Sequence, residues 1–155
     1  MRVREKAVLG NRTPHPPQHV NTQPTNNNMD QPSPEDYYNL GDYRRDVSTA
    51  NEDAQLWFSR GLIWAYAFNH EESTRCFEKA VELDPTCAMG YWGIALALGP
   101  NYNKPWQLFD GEDLSATTTR AHRAILEAKK HAPAATPLEN ALIDALQHRY
   151  PRNSP

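Results

Sequence analysis

Apolar positions along this chain fall into blocks that differ in kind. Residues 54–68, AQLWFSRGLIWAYAF, have only Gln55, Ser59 and Arg60 as polar members, a pattern that predicts a helix buried on nearly every side. In the next block Cys76, Phe77, Ala80, Val81 and Leu83 recur at helical spacing. Asn69 with Glu72 three residues later fits an N-cap with a returning carboxylate, and Pro85 ends the helix. Ala88 to Leu98 contains no charge at all. Leu114, Thr118, Ala121, Ile125, Ala128 and Ala132 then lie three or four apart, so they form one face, while Arg120, Arg123, Glu127 and Lys130 lie largely off it. Lys129, Lys130 and His131 sit where the helix dipole favours cations. Thr136, Pro137 and Glu139 make a capping box with proline at the first helical position, so a further helix starts there. The predicted class is all-α, built of antiparallel helix pairs.

The blocks also repeat. An offset of 34 residues pairs Trp57 with Tyr91, Gly61 with Ala95 and Trp64 with Leu98, while Arg60 meets Ile94. Beyond Gly99 an offset of 48 restores the register, pairing Ser73 with Ala121, Phe77 with Ile125, Ala80 with Ala128 and Pro85 with Pro133. The difference is a 14-residue insertion. Small residues at Gly61, Ala80, Ala95, Ala121 and Ala128 let helices approach, and Trp57, Trp64 and Phe77 fill the space between neighbouring pairs. A single pair cannot bury its apolar face alone, so pairs stack.

Trp57, Gly61, Trp64, Ser73, Phe77, Ala80 and Pro85 resemble the tetratricopeptide repeat, with Arg60, Trp64 and Ser73 replacing the family's Leu, Tyr and Ala. The resemblance implies a short α-solenoid in three parts: a first repeat at 54–87, a second at 88–135 interrupted by the insertion 99–114, and a partial third at 136–151. Glu139 and Ile143 depart from the aromatic and small positions of the third unit. Over residues 37–151 the chain is also similar to the N-terminal part of a group of long tetratricopeptide proteins in fungi and bacteria. Those proteins continue with more helices, so the resemblance implies an incomplete chain whose row Leu142, Ile143 and Leu146 is uncovered and favours self-association. Family members that clamp acidic chaperone tails use cationic groove positions. Gln55, Phe58, Leu62, Met89, Trp92 and Leu96 stand there here, so that activity is not implied.

Composition alters the picture mainly at the N-terminus. Six of the 13 prolines and five asparagines precede Glu35, and residues 1–34 hold few large apolar groups, which predicts a disordered tail followed by an extended arm over 35–50. Thr49 to Glu52 marks the approaching helix start. Residues 1–28 carry a net +3 against −6 for the rest. Prolines at 14, 16 and 17 leave little room for an amphipathic transit helix, and Met29 offers a second start. The uncharged run 85–103 is punctuated by Pro85, Gly90, Gly93, Gly99 and Pro100, so no membrane span is expected. Cys76 and Cys87, with no secretory signal, read as reduced packing residues of a cytoplasmic protein.

Chemistry-bearing motifs are sparse. His70-Glu71-Glu72 lacks the second histidine of a zinc-protease helix, Thr74 standing in its place, and the remaining histidines have no ligand spacing, so no metal or cofactor is expected. Arginine and lysine doublets at 44–45 and 129–130 make no basic patch for nucleic acid. The expected function is a non-catalytic scaffold that binds a protein partner or further repeats, through Phe58, Leu62 and Trp92 on the groove and Tyr102, Lys104 and Trp106 on the insertion. The rival is an enzyme or small-molecule pocket between the insertion and the helices, with Tyr102, Asn103, Lys104 and His70 as polar members. Because the first helix of each pair is apolar where a groove should be polar, something fills the groove: the insertion, the arm, a second subunit or more repeats.

Overall fold

A computed structural model describes residues 37–153. The expected disordered tail at 1–34 and the first two residues of the arm lie outside the described residues.

Among the described residues five α-helices follow one another: α1 (Glu52–Tyr66), α2 (His70–Leu83), α3 (Ala88–Leu98), α4 (Gly111–His131) and α5 (Pro137–Gln147). Each start has a local cause. Asn51 caps α1 by accepting from the backbone of Asp53 and Ala54, so the cap lies inside the expected span Thr49 to Glu52. Thr49 instead donates to Asp84 at the far end of α2, 2.5 Å away. Asn69 accepts from the Glu72 backbone as expected, yet the Glu72 carboxylate turns outward to Tyr37 and Arg75. Asp110 caps α4 three residues earlier than the periodic face suggested, so the end of the insertion is helix. The capping box at Thr136 and Glu139 forms in both directions.

Consecutive helices pack together, and the first helices of each pair, α1, α3 and α5, also touch in series. Antiparallel pairing of α1 with α2 is visible in its bonds: Asn51 Nδ2 donates to the Leu83 carbonyl at one end, and Ser73 Oγ to the Gly61 carbonyl nearer the other. Between them lies Phe77, fully buried against Phe58 with ring centroids 5.4 Å apart. A β-carbon on Gly61 would stand 2.6 Å from the Phe77 ring, and one on Gly93 of α3 would stand closer still. Two glycines from successive pairs thus flank one aromatic ring.

Trp57 is buried at 5% exposure, as the spacing required. Trp64 does something else: its Nε1 donates to the Tyr37 hydroxyl at 2.7 Å, so it holds the arm and not a neighbouring pair. The arm runs antiparallel along α1. Its backbone satisfies the two buried polar residues of that helix, since Gln55 bonds to both Arg45 O and Val47 N, and Ser59 accepts from Arg45 N. At its end Ser48 donates twice to the carboxylate of Glu139 on α5. The arm therefore occupies the flank of α1 and reaches α5. Contacts with α2, α3 and the arm account for most of the apolar surface of α1, while Leu56 and, at its C-terminal end, Tyr66 stay exposed, against the expectation of burial on nearly every side.

One expectation fails. Ile143 is fully buried and Leu146 is 8% exposed, with Leu142 partly buried, so the row of α5 is covered. The cover comes from within. Trp92 Nε1 reaches the Leu142 carbonyl at 3.1 Å, and after α5 the chain folds back so that Tyr150 is 1% exposed, its carbonyl bonded to His122. The face of α5 that remains open holds Leu138, Ala141 and Ala145.

Candidate functional site

The insertion leaves α3 at Gly99 and Pro100 and turns at once. Asn101 Oδ1 accepts from the backbone of Asn103 and Lys104, and Asn101 and Lys104 exchange backbone bonds. This tight turn throws Tyr102 outward to 89% exposure. Lys104 folds back, pairing with Asp113 of α4 and lying 4.3 Å over the Phe109 ring. Trp106 begins a short 3-10 turn, edge-on to Tyr150 with centroids 6.5 Å apart and beside Phe109 at 5.5 Å.

Beside Tyr102 stands a residue the spacing did not single out. Phe68 lies in the turn between α1 and α2, 56% exposed, its ring centroid 6.1 Å from that of Tyr102. Its φ is +62°, the left-handed region, and among the described residues no other non-glycine residue adopts it. The conformation closes α1: Phe68 N donates to Ala65 O and Asn69 N to Trp64 O, the pattern that glycine ordinarily serves. A bulky side chain there is strained by about 1–2 kcal/mol. The signal was available in YAFNHEE, where a three-residue turn between two helices has phenylalanine in place of glycine.

The six residues expected to bind do not form one site. Phe58 and Leu62 are buried at 1% and 6% and present almost no surface. Trp92 is half-buried and bonded to α5. Tyr102, Lys104 and Trp106 share the insertion, although Lys104 turns inward and Trp106 faces the chain's end.

His70 and Lys104 do line one open cleft of about 500 Å³, with Thr74, Phe109, Asp113 and Thr117, whereas Tyr102 and Asn103 stand outside it. Both ring nitrogens of His70 are buried without a partner, and burial lowers its pKa, which favours the neutral ring. Lys104 is matched by Asp113, Thr74 bonds to the His70 carbonyl and Thr117 to Asp113. Apart from the His70 ring these groups are engaged with one another, and the hydroxyls lining the cleft, Thr74 and Thr117, are already hydrogen-bonded within their own helices. Burial pushes the Cys76 thiol up to about 11 and raises that of Cys87; both are free and buried, hence poor nucleophiles. Among the described residues no group of three or more His, Cys, Asp or Glu is arranged to hold a metal, and no helix is long and apolar enough to cross a membrane.

Comparison with known proteins agrees with the geometry of the first pair. No curated protein and no solved structure matches the chain. Residues 54–87, the pair that encloses Phe77, match the tetratricopeptide repeat family, and the match supports a tetratricopeptide-repeat protein.

Proposed function

We propose that the chain is a non-catalytic scaffold that binds a partner protein through the aromatic surface formed by Phe68 and Tyr102. The observation that carries this reading is Phe68 itself. It holds a strained backbone conformation while more than half of the residue stays exposed, so partial burial does little to offset the strain. Strain of this kind collects at functional positions. Tyr102 adds an amphipathic ring to the same surface. Aromatic groups on a rigid frame are what protein interfaces are built around.

The test is affinity capture with the full chain against Phe68→Gly combined with Tyr102→Ala. Proteins retained by the wild type and lost from a variant with unchanged helical content support the reading; identical capture by both overturns it. We further propose that the chain is related to long fungal and bacterial tetratricopeptide proteins; a reading frame that continues beyond Pro155 into helix pairs supports this, and one that does not speaks against it.

A further inference from the structure

We propose that Ser48 is a phosphorylation site for an arginine-directed protein kinase, and that the phosphate detaches the end of the arm from α5. The inference goes beyond the protein-binding reading and rests on a different part of the molecule. Ser48 closes the run RRDVS, with Arg45 three positions upstream and Arg44 four. That pattern suits the acidic substrate groove of arginine-directed kinases, which select substrates by charge. Both arginines are exposed, and the arm around them is extended chain without helix or strand, the form such a groove accepts. Ser48 and Thr49 border an open cleft of about 840 Å³, so the segment lies at the surface. Between Arg45 and Ser48 the arm is held mainly by hydrogen bonds to side chains and by one half-buried apolar residue, Val47. Lifting this end to present the hydroxyl is therefore a small local opening.

What faces the hydroxyl turns the modification into a release. Ser48 donates to the Glu139 carboxylate through its backbone N–H at 2.7 Å and its Oγ at 2.6 Å, and the neighbouring Thr49 hydroxyl donates to Asp84 at 2.5 Å. The kinase step transfers the γ-phosphoryl group of ATP: the bond from Ser48 Oγ to phosphorus forms, the bond from phosphorus to the β-phosphate oxygen breaks, ADP leaves, and the kinase's catalytic aspartate takes the hydroxyl proton. The donor to Glu139 Oε2 is thereby lost, and a group of about −1.5 to −2 charge stands against a carboxylate in its place. Asp84 adds a second negative charge nearby, offset in part by His131 when that ring is protonated. Arg45 travels with the arm, so a phosphate that pairs with it leaves α5 all the same.

The experiment treats the full chain with the catalytic subunit of cyclic-AMP-dependent protein kinase and magnesium ATP, and maps the phosphate by tandem mass spectrometry. It then reads amide hydrogen exchange at Arg45, Val47 and Ser48, whose N–H groups are hydrogen-bonded when the arm is docked. Phosphate is expected on Ser48 of the folded chain, at an initial rate about tenfold lower after Arg44→Ala plus Arg45→Ala. The phosphorylated chain is expected to exchange these amides at least about tenfold faster, with unchanged helical circular dichroism. Ser48→Glu against Ser48→Ala separates added charge from a lost hydrogen bond. The Glu variant is expected to speed exchange more than the Ala variant beside Glu139, and no more than it in a Glu139→Gln background. An unmodified Ser48, a rate indifferent to the two arginines, or labelling of a peptide spanning 40–52 but not of the folded chain overturns the site. Phosphate on Ser48 with unchanged exchange, or equal effects of Ser48→Glu and Ser48→Ala beside Glu139, overturns the release.

Discussion

Individual residues separate what stabilises this molecule from what its surface is for. Phe68 sits where glycine would relieve the backbone, so Phe68→Gly is expected to raise unfolding free energy by about 1 kcal/mol in urea denaturation, even though it removes an aromatic ring. An unchanged or lowered value would show that the ring contributes to folding and remove the case for a binding role. Tyr150 is a second informative position, because its hydroxyl is buried against Gly99 with the Arg149 guanidinium as its polar neighbour and no hydrogen bond of good geometry to it. Tyr150→Phe deletes a poorly satisfied polar group and leaves the ring in place. The variant is expected to match the wild type in melting temperature or exceed it by an amount equivalent to about 1 kcal/mol, whereas a clear loss would reveal a partner for that hydroxyl. Neither position was prominent in the sequence. The spacing of Trp57, Gly61, Phe77 and Pro85 marked the repeat, but the left-handed turn at Phe68 depends on how two helices are joined, and the burial of Tyr150 on where the chain's end travels.

Elements are joined here by a few long-range polar contacts that helical periodicity does not encode. The arm was expected as an extended segment over 35–50, and the docking of its described part along α1 explains how Gln55 and Ser59 are tolerated in a buried face. Its attachment to α5 was not legible, because the capping carboxylate of Glu139 accounts for itself locally and gives no sign of a second partner 91 positions away. Burial alone would raise the Glu139 carboxyl; hydrogen bonds from Ser48 and from the Thr136 backbone outweigh it and hold the group below its ordinary value. The charged form is therefore favoured in the folded state. Its contribution to stability is fully present above the unfolded carboxyl's pKa of about 4.3 and is lost as pH falls through the lower folded value. Glu139→Gln is expected to destabilise the protein at pH 7 by about 1.5–3 kcal/mol, the worth of a hydrogen bond to a charged group. The gap should narrow as pH drops below about 4, and thermal melts across that range would show it. A gap that stays constant with pH would mean that the arm does not depend on the ionised carboxylate. The same reasoning explains the miss at α5: Leu142, Ile143 and Leu146 read as an uncovered row because Trp92 and the returning segment around Tyr150 close over them only in three dimensions.

At the scale of the whole molecule, stacking rests on aromatic rings set against the smallest residues. Phe77 is the centre of that arrangement, since its ring meets Gly61 within its own pair and Gly93 in the next, and so joins one pair to the other. The first contact was legible from the repeat spacing. The second was not, because Gly93 lies two positions from Ala95, the residue that the 34-residue offset aligns with Gly61. Glycine inside a helix is normally a weakness, and Gly93→Ala by propensity alone would stabilise α3 by about 1 kcal/mol. The ring reverses that sign if the wedge is real. The decisive measurement is a double-mutant cycle by urea unfolding with Gly93→Ala and Phe77→Leu. The wedge predicts that Gly93→Ala lowers stability by about 1–3 kcal/mol in the wild-type background and lowers it less by at least about 0.5 kcal/mol, or raises it, beside Leu. Equal effects of Gly93→Ala in both backgrounds would contradict it.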